Sequence, residues 1–252
     1  MRVLLLTATA GEQAEVAARL DDAVLSYRHG RQRRHGRLAG VPICLIETGI
    51  GLVNTAQALT SELCMDLPEL VIHFGVAGAY SASGLVIGDL GVAEREIYGE
   101  LGVRTVNGWQ GAELIGIPTA RIGADGVDHY NYFTSDAGLV ETALATLNRD
   151  QAWPGQRPRI KAGSFVTVQE CSGTTVLGDE RARRFDALCE NMEGAAAAHI
   201  CAMEDIPFLE VRAISNLVED RDRDRWDLAT ASTRAQHAAT LLVEEFAAGG
   251  FE

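Results

Sequence analysis

The sequence predicts an α/β fold, a three-layer single domain in which helices flank a central, mixed and twisted β-sheet. Apolar runs of strand length alternate along the chain with segments of helical periodicity, a pattern typical of a sheet covered on both faces. The chain has 252 residues, of which 47% are hydrophobic, so it can bury one large core. No repeat or low-complexity tract divides residues 1–252, which are therefore interpreted as one domain.

The first half of the chain opens on an apolar, β-branched-rich run at residues 3–9, which is typical of a buried central strand. Two later strands surround the turn at His29-Gly30, and this hairpin favours a mixed sheet over a purely parallel one. After the first strand, the predicted elements are a helix at 12–20, strands at 23–27, 33–38 and 41–48, a helix at 51–65, and strands at 70–74 and 89–94.

The second half begins with a stretch that has little periodicity. Residues 101–133 are rich in glycine and aromatic side chains, and they are interpreted as a long functional loop region. The elements predicted after it are a helix at 139–147, a strand at 160–168, helices at 179–188 and 193–204, a strand at 208–214 and a closing helix at 228–248.

Composition excludes several classes of function. The formal net charge of −13 argues against a nucleic-acid backbone or an anionic membrane as partner, since each needs a basic face. The five cysteines lack C-x-x-C spacing, which predicts reduced thiols and neither disulfides nor a metal site. No G-x-G-x-x-G follows a strand, so no dinucleotide cofactor is expected. The apolar run after Met1-Arg2 is too short for a signal peptide, which predicts a cytoplasmic protein.

Chemistry-bearing residues gather at predicted strand ends. In α/β sheets, ligands bind at the carboxyl ends of the strands, so residues that follow distant strands can face one cleft. The residues at these positions are Glu12, Gly49 to Gly51, Gly75 to Gly78, the segment after Val168, Ser215 and Asn216, with Glu193 at the start of a helix. This convergence is the first indication of a functional site.

Four motifs in chain order resemble the signatures of the purine nucleosidase and nucleoside phosphorylase superfamily. They are G-I-G-L-V-N at 49–54, F-G-V-A-G at 74–78, E-N-M-E-G-A-A at 190–196, and P-F at 207–208 leading to R-A-I-S-N at 212–216. The continuation of the last motif into D-R-D-R-D-R-W-D at 220–227 resembles the futalosine hydrolase branch, as do residues 75–80 and 96–99.

The resemblance implies a nucleoside phosphorylase-like fold, a small-molecule nucleoside substrate, no cofactor and a homo-oligomer. For the futalosine hydrolase branch it implies hydrolysis of futalosine, an inosine-like nucleoside whose ribose carries a carboxybenzoyl-type tail. The products are hypoxanthine and dehypoxanthine futalosine, on a route to menaquinone. Breaking an N-glycosidic bond builds positive charge on the ribose and negative charge on the base, so the site needs carboxylates beside the sugar.

Three residues are the candidates for the chemical step. The resemblance makes Glu12 the base that activates water, although it could also be a first-turn glutamate favoured by the helix dipole. It makes Glu193 the carboxylate that binds the ribose hydroxyls, with Met192 packed on the sugar; the alternatives are helix-start electrostatics and core filling. Asn216 stands where adenine-cleaving relatives carry Asp, and an amide donor suits the acceptors of a 6-oxopurine, although Asn216 could instead be a strand-end cap.

Further contacts with the substrate are expected from loop and strand-end residues. They are Val76, Ala77, Gly78, Cys171, Ser172 and Phe208, together with Arg221 or Arg223 for the carboxylate of the tail. The alternatives that remain open are a methylthioadenosine/S-adenosylhomocysteine nucleosidase, a 6-oxopurine nucleoside phosphorylase and a non-catalytic nucleoside-binding module. Residues 11–15 and 73–76 offer no arginine or serine for phosphate, which favours water as nucleophile, unless Arg28, Arg31 or Arg33 arrives from a neighbouring strand or subunit.

Overall fold

The computed structural model describes residues 2–249. Strands and helices alternate along most of this range. In chain order the elements are β1 (Val3–Thr7), α1 (Ala14–Ala18), β2 (Asp21–Arg28), β3 (Arg31–Leu38), β4 (Val41–Glu47), α2 (Leu52–Leu63), β5 (Leu70–Tyr80), β6 (Leu90–Tyr98), β7 (Gly102–Thr105), β8 (Gly108–Gly111), β9 (Ala120–Ile122), β10 (Val127–His129), β11 (Tyr132–Thr134), α3 (Ala137–Arg149), β12 (Ile160–Thr167), α4 (Thr175–Phe185), β13 (Ala187–Asn191), α5 (Gly194–Met203), β14 (Phe208–Val218) and α6 (Leu228–Ala247).

The strand β1 shows why the fold has three layers. All five of its residues are buried, because the strand lies between β4 and β5 and both faces of the sheet are covered. Val3 and Leu5 pack with residues of α1, α3 and α6, whereas Leu4 and Leu6 pack on the other face with residues of α2 and α5. The three-layer α/β fold predicted from the sequence is therefore confirmed.

The ten-stranded sheet is mixed. Strands β4, β1 and β5 run parallel, while β2, β3 and β4 form an antiparallel meander at one edge. At the other end, β5 pairs with β13 and β14, β6 pairs with β12 and β14, and β12 pairs with β13. These five strands close into a ring, which the sequence analysis did not predict.

Strands β5 and β14 each have 11 residues and continue beyond the ends predicted for them at Phe74 and Ile214. Their pairing is parallel and shifts by one residue between Ile214 and Asn216. Such a bulge re-aims the side chains that follow it. Because of this continuation, residues 75–78 and 215–216 lie inside the paired strands of the ring, not in loops after them.

The prediction of a long loop at residues 101–133 is wrong in detail. The segment contains two small antiparallel sheets, one made by β7 and β8 and one by β9 and β10, and β11 joins the main sheet beside β6. Strand β13 was also missed, because its five residues follow directly on a helix. Within residues 2–249, no helix is both long and apolar enough to span a bilayer.

Candidate active site

Glu12 lies in a short 3-10 turn directly after β1, and its side chain is 6% exposed. Its Oε1 accepts a hydrogen bond from the backbone N–H of Val76 at 2.9 Å. Its Oε2 accepts from the N–H of Thr9 at 3.0 Å and from the Thr9 hydroxyl at 2.9 Å. Gly75 makes this arrangement possible, because a Cβ at that position would collide with Oε1. Glu12 is therefore held in one orientation by donors from β5 and from its own turn.

Glu193 is the residue that precedes α5, and it is 4% exposed. Its Oε1 accepts from the N–H of Gly51 at 3.0 Å, and its Oε2 lies 3.4 Å from Nη1 of Arg212. Burial raises the pKa of Glu193 above its ordinary value, while the charge of Arg212 and the Gly51 hydrogen bond oppose the rise. The charge of Glu12 adds to it, which places the two carboxylates within electrostatic reach of each other.

Arg212 is a buried cation between these carboxylates, and it is 1% exposed. Its Nε donates to Glu210 at 2.7 Å and its Nη1 donates to the carbonyl of Val76 at 3.3 Å. Its Nη2 lies 3.2 Å from Nε2 of His73. Burial and the charge of Arg212 lower the pKa of His73 well below its ordinary value, so this imidazole stays neutral. Arg212 thus offsets the charge of Glu210 and Glu193.

A second layer beneath Glu193 fixes the start of α5. Oδ1 of Asn191 accepts from the N–H of Glu193 at 2.9 Å and of Gly194 at 2.7 Å. The N–H of Ala195 donates to the Thr167 hydroxyl at 2.7 Å. These side chains satisfy the donors that a helix leaves unpaired at its first turn, so the Glu193 carboxylate is free to face the cleft.

Glu96 holds this second layer in place. Its Oε1 accepts from Nδ2 of Asn191 and its Oε2 accepts from the Thr167 hydroxyl, both at 2.6 Å. Gly194 lies against Glu96 and Glu210 together, since a Cβ there would collide with both carboxyl groups. Burial, followed by the charge of Glu210, raises the pKa of Glu96 well above its ordinary value. Burial beside a second carboxylate therefore favours the protonated form of Glu96.

A cavity of about 70 Å³ lies next to this carboxylate cluster. Among the residues that the sequence predicted for substrate contacts, it brings together Met192, Asn216, Cys171, Ser172 and Arg221. The other residues that line it are Val168, Glu190, Asn191, Leu217, Glu219, Asp222 and Trp226. The Cys171 thiol donates to the sulfur of Met192 at 3.5 Å, which ties the loop after β12 to the end of β13.

Asn216 follows the bulge in β14 and is half-buried. Its Oδ1 accepts from the Ser215 hydroxyl at 2.8 Å, and its Nδ2 donates to the carbonyl of Leu217 at 3.1 Å. Each amide hydrogen can form its own bond, so Nδ2 keeps a second hydrogen for a ligand in the cavity.

Residues 76–78 of β5 connect the two parts of the site. The backbone of Val76 contacts Glu12 and Arg212, the carbonyl of Ala77 accepts from Ser215 at 3.3 Å, and Gly78 lies against the side chain of Asn216. The structure therefore assembles the carboxylates and the cavity around one stretch of strand.

Two of the predicted substrate contacts, Phe208 and Arg223, do not line the cavity. Phe208, which the sequence predicted as a substrate contact, is not brought to the cavity, because its side chain belongs to the core between α2, α5 and the sheet. Phe208 begins β14, so it lies about 26 Å along the strand from Asn216. Ser172 does line the cavity, but its N–H and its hydroxyl both donate to Glu190, which leaves it no donor for a substrate. Arg221 and Arg223 are both exposed, but Arg221 lines the cavity and Arg223 does not.

Three residues of the site were missed in the sequence: Arg212, Glu190 and Trp226. The signal for Arg212 was available, because Glu210 and Arg212 are charged residues spaced by two in an otherwise apolar strand. That spacing puts them on one face of β14 and predicts a buried pair. Trp226 belongs to the charged run at 220–227, and it reaches the cavity because the loop after β14 folds back, so that the N–H of Asp227 donates to the carbonyl of Ser215.

A family model described as "Phosphorylase superfamily" matches residues 2–248 of the chain. The chain belongs to the phosphorylase superfamily. Among its curated relatives are futalosine hydrolases from Thermus thermophilus, 32% identical over 82% of this chain and 84% of that protein, and from Acidothermus cellulolyticus, 31% identical over 95% and 89%. A 5′-methylthioadenosine/S-adenosylhomocysteine nucleosidase from Geobacillus kaustophilus is 26% identical over 96% of this chain and 95% of that protein.

Solved structures of this superfamily have the same fold. The 5′-methylthioadenosine/S-adenosylhomocysteine nucleosidase from Neisseria meningitidis, in complex with methylthio-immucillin-A, superposes with a TM-score of 0.82 at 21% identity, over 97% of this chain and 99% of that chain. The Streptococcus pneumoniae enzyme gives 0.79 at 22% identity, over 98% and 100%. The predicted resemblance and the predicted class, an N-glycosidic hydrolase, are confirmed, since the relatives are named hydrolases and nucleosidases.

Proposed function

We propose that the protein hydrolyses the N-glycosidic bond of futalosine and releases hypoxanthine and dehypoxanthine futalosine. The observation that carries the proposal is the buried arrangement of Glu12, Arg212 and Glu193 beside a cavity that contains Asn216. Two carboxylates near the sugar suit a transition state in which the ribose becomes cationic. Futalosine hydrolases at 31–32% identity support the choice of substrate.

In the proposed reaction, Glu12 takes a proton from water as the water oxygen bonds to the anomeric carbon of the ribose. The electron pair of the broken C–N bond moves to the base. Glu193 accepts hydrogen bonds from the ribose hydroxyls, and its charge stabilises the cationic ring. Asn216 cannot give up a proton, so it donates a hydrogen bond to the departing base, which is protonated after it leaves.

Arg221 is the arginine that we assign to the carboxylate of the substrate tail. It lines the cavity, and its guanidinium lies 4.7 Å from the ring centroid of Trp226, which also lines the cavity. Stacking on an indole restricts the orientation of the guanidinium fork and lowers the entropy lost when it binds a carboxylate.

A second candidate function is phosphorolysis of a 6-oxopurine nucleoside, and one arginine favours it. Arg31 reaches from β3 to the first half of α2, where its Nη2 donates to Asn54 at 2.8 Å and its Nε donates to Gln57 at 3.0 Å. Gly51, whose N–H binds Glu193, directly precedes this helix. Two nearby carboxylates would repel phosphate, which is why we place water first.

The test is to incubate the enzyme with futalosine, inosine and methylthioadenosine, with and without phosphate, and to identify the products. Hydrolysis of futalosine predicts hypoxanthine and a free sugar product at a rate independent of phosphate. A sugar phosphate that appears only with phosphate would establish the second candidate. Faster release of adenine from methylthioadenosine would overturn the proposed substrate. Phe208→Leu is the control variant and should give the same products as the wild type. It changes a residue of the family motif that lies outside the site.

A further inference from the structure

Glu190 is a carboxylate that lines the same cavity as Asn216, and it is 7% exposed. It is the fourth of the five residues of β13 and lies two residues before Met192. A buried carboxylate at a ligand cavity requires partners, and those it has determine which atoms remain for a ligand.

The partners of Glu190 leave one of its oxygens partly free. Oε2 accepts from the Ser172 hydroxyl at 2.6 Å and from the Tyr80 hydroxyl at 3.2 Å, with Nη1 of Arg181 at 3.6 Å. Oε1 accepts only the N–H of Ser172, at 2.8 Å, among the described residues. A carboxylate oxygen can accept two hydrogen bonds, so Oε1 has capacity for one more donor.

Arg181 holds this carboxylate in place. It is 5% exposed, and its guanidinium also donates to Glu100 at 2.6 Å, to the carbonyl of Glu170 at 2.7 Å and to the Ser172 hydroxyl at 2.8 Å. Every partner of Glu190 is a donor, so both of its oxygens act as acceptors. Glu190 therefore offers a ligand an acceptor.

A 6-oxopurine and a 6-aminopurine differ at N1 and at C6, and an acceptor on the protein can distinguish them at N1. A 6-oxopurine has a hydrogen on N1 and an acceptor oxygen at C6, whereas a 6-aminopurine has a bare acceptor at N1 and a donor amine at C6. Asn216 alone does not separate them, because its amide has both a donor and an acceptor. A fixed carboxylate at the N1 edge does separate them, because it accepts the N1–H of the 6-oxopurine and repels the N1 lone pair of the 6-aminopurine.

We infer that Oε1 of Glu190 accepts the N1–H of a 6-oxopurine while Nδ2 of Asn216 donates to an acceptor on the same base. Glu190 is thereby a specificity-determining residue, and the substrate class is a 6-oxopurine nucleoside. The inference rests on the proposed function for the nucleoside, but base recognition can be measured without catalysis.

The first measurement uses the wild-type protein and free bases in a calorimeter. Hypoxanthine should bind at least about ten-fold more tightly than adenine and than 1-deazahypoxanthine, which lacks the N1–H, because a hydrogen bond to a charged group is lost in both. Equal affinities for hypoxanthine and 1-deazahypoxanthine would overturn the inference. This result does not depend on futalosine being the substrate, so it separates the two claims.

The second measurement compares Glu190→Gln with Glu62→Gln. Glu190→Gln should lower the ratio of kcat/KM for futalosine to that for its 6-amino counterpart at least about ten-fold, because an amide can serve both bases. Glu62→Gln changes another buried glutamate that pairs with an arginine but does not line the cavity, and it should leave that ratio within about two-fold. A loss of activity that is equal for both substrates in Glu190→Gln would make Glu190 a support of the loop and overturn the inference. If neither substrate is cleaved, the proposed function fails, and the binding of hypoxanthine still decides the role of Glu190.

Discussion

The carboxylate cluster and the cavity that contains Asn216 draw their partners from different places in the chain. In the cluster, Glu12 and Glu193 each accept from a backbone N–H group of an element far away in the chain, at Val76 and Gly51. In the cavity, Asn216 is held by its chain neighbours Ser215 and Leu217. The cluster therefore joins distant elements, whereas Asn216 depends on local partners.

The proposed function gives the two regions separate tasks. In the proposed reaction the charges of the cluster respond to a cationic sugar, so we expect variants of the cluster to change the rate or the stability. The groups of the cavity are proposed to face the base, so we expect variants of the cavity to change the preference between bases.

The largest expected effect follows from replacing Arg212 by Met. Removing one partner of a buried ionic network leaves its carboxylates uncompensated, which commonly costs about 3–5 kcal/mol of the free energy of unfolding. Denaturant unfolding measures this loss. The double variant Arg212→Met with Glu210→Gln should recover part of it, because one of the stranded carboxylates is then neutral. An unchanged midpoint in Arg212→Met would show that Arg212 does not stabilise the cluster.

Glu12→Gln tests the cluster by rate. The amide cannot take a proton from water, so turnover of futalosine should fall by at least about two orders of magnitude. Circular dichroism and the melting temperature should match the wild type, since the amide keeps the shape of the side chain. Glu15→Gln, which changes a half-buried residue of α1, is the matched control and should keep most of its activity. Normal turnover in Glu12→Gln would remove Glu12 from the mechanism.

Asn216→Asp tests whether the cavity recognises the base through the amide of Asn216. An ionised carboxylate would repel the oxygen of a 6-oxopurine, and the lost hydrogen bond should cost about 1–3 kcal/mol of transition-state stabilisation for futalosine. The variant should recover activity as the pH falls, because the protonated form can donate. The measurement is the ratio of kcat/KM for futalosine to that for its 6-amino counterpart over a pH series. A constant ratio would mean that Asn216 does not contact the base.

The smallest expected effect is a pH dependence of stability that comes from Glu96. Its pKa is raised well above its ordinary value in the folded protein, by burial and then by the charge of Glu210. Between the ordinary and the raised pKa, the folded state binds more protons than the unfolded chain, so the free energy of unfolding falls as the pH rises. Glu96→Gln should flatten this slope, whereas Glu141→Gln on the exposed face of α3 should keep it. Equal slopes in wild type and Glu96→Gln would show that the pKa of Glu96 is not raised in the folded protein.

The sequence predicted the parts of this molecule that local patterns control. The buried run of β1, the turn with Glu12 and the start of α5 near Glu193 all follow from periodicity and from punctuation by glycine. The ring of five strands did not follow, because its pairings join segments that are distant in the chain and have no local signature.

The same reason explains the errors within the site. Phe208 and Asn216 are neighbours in one motif, yet an extended strand places them at opposite ends of β14. Glu190 was passed over because β13, the strand that carries it, was not predicted. Its burial depends on Arg181 and Tyr80, which come from two other elements.

Three glycines of the site lie where a side chain would crowd the polar groups around it. A single methyl group at Gly75 would strike the Glu12 carboxylate, and one at Gly194 would strike both Glu96 and Glu210. At Gly78 the added carbon would lie 3.1 Å from Nδ2 of Asn216. None of these three positions is left-handed, so an alanine would suit the backbone at each of them. A replacement that removes no polar group and suits the backbone would therefore still displace a carboxylate of the site, at Gly75 or at Gly194.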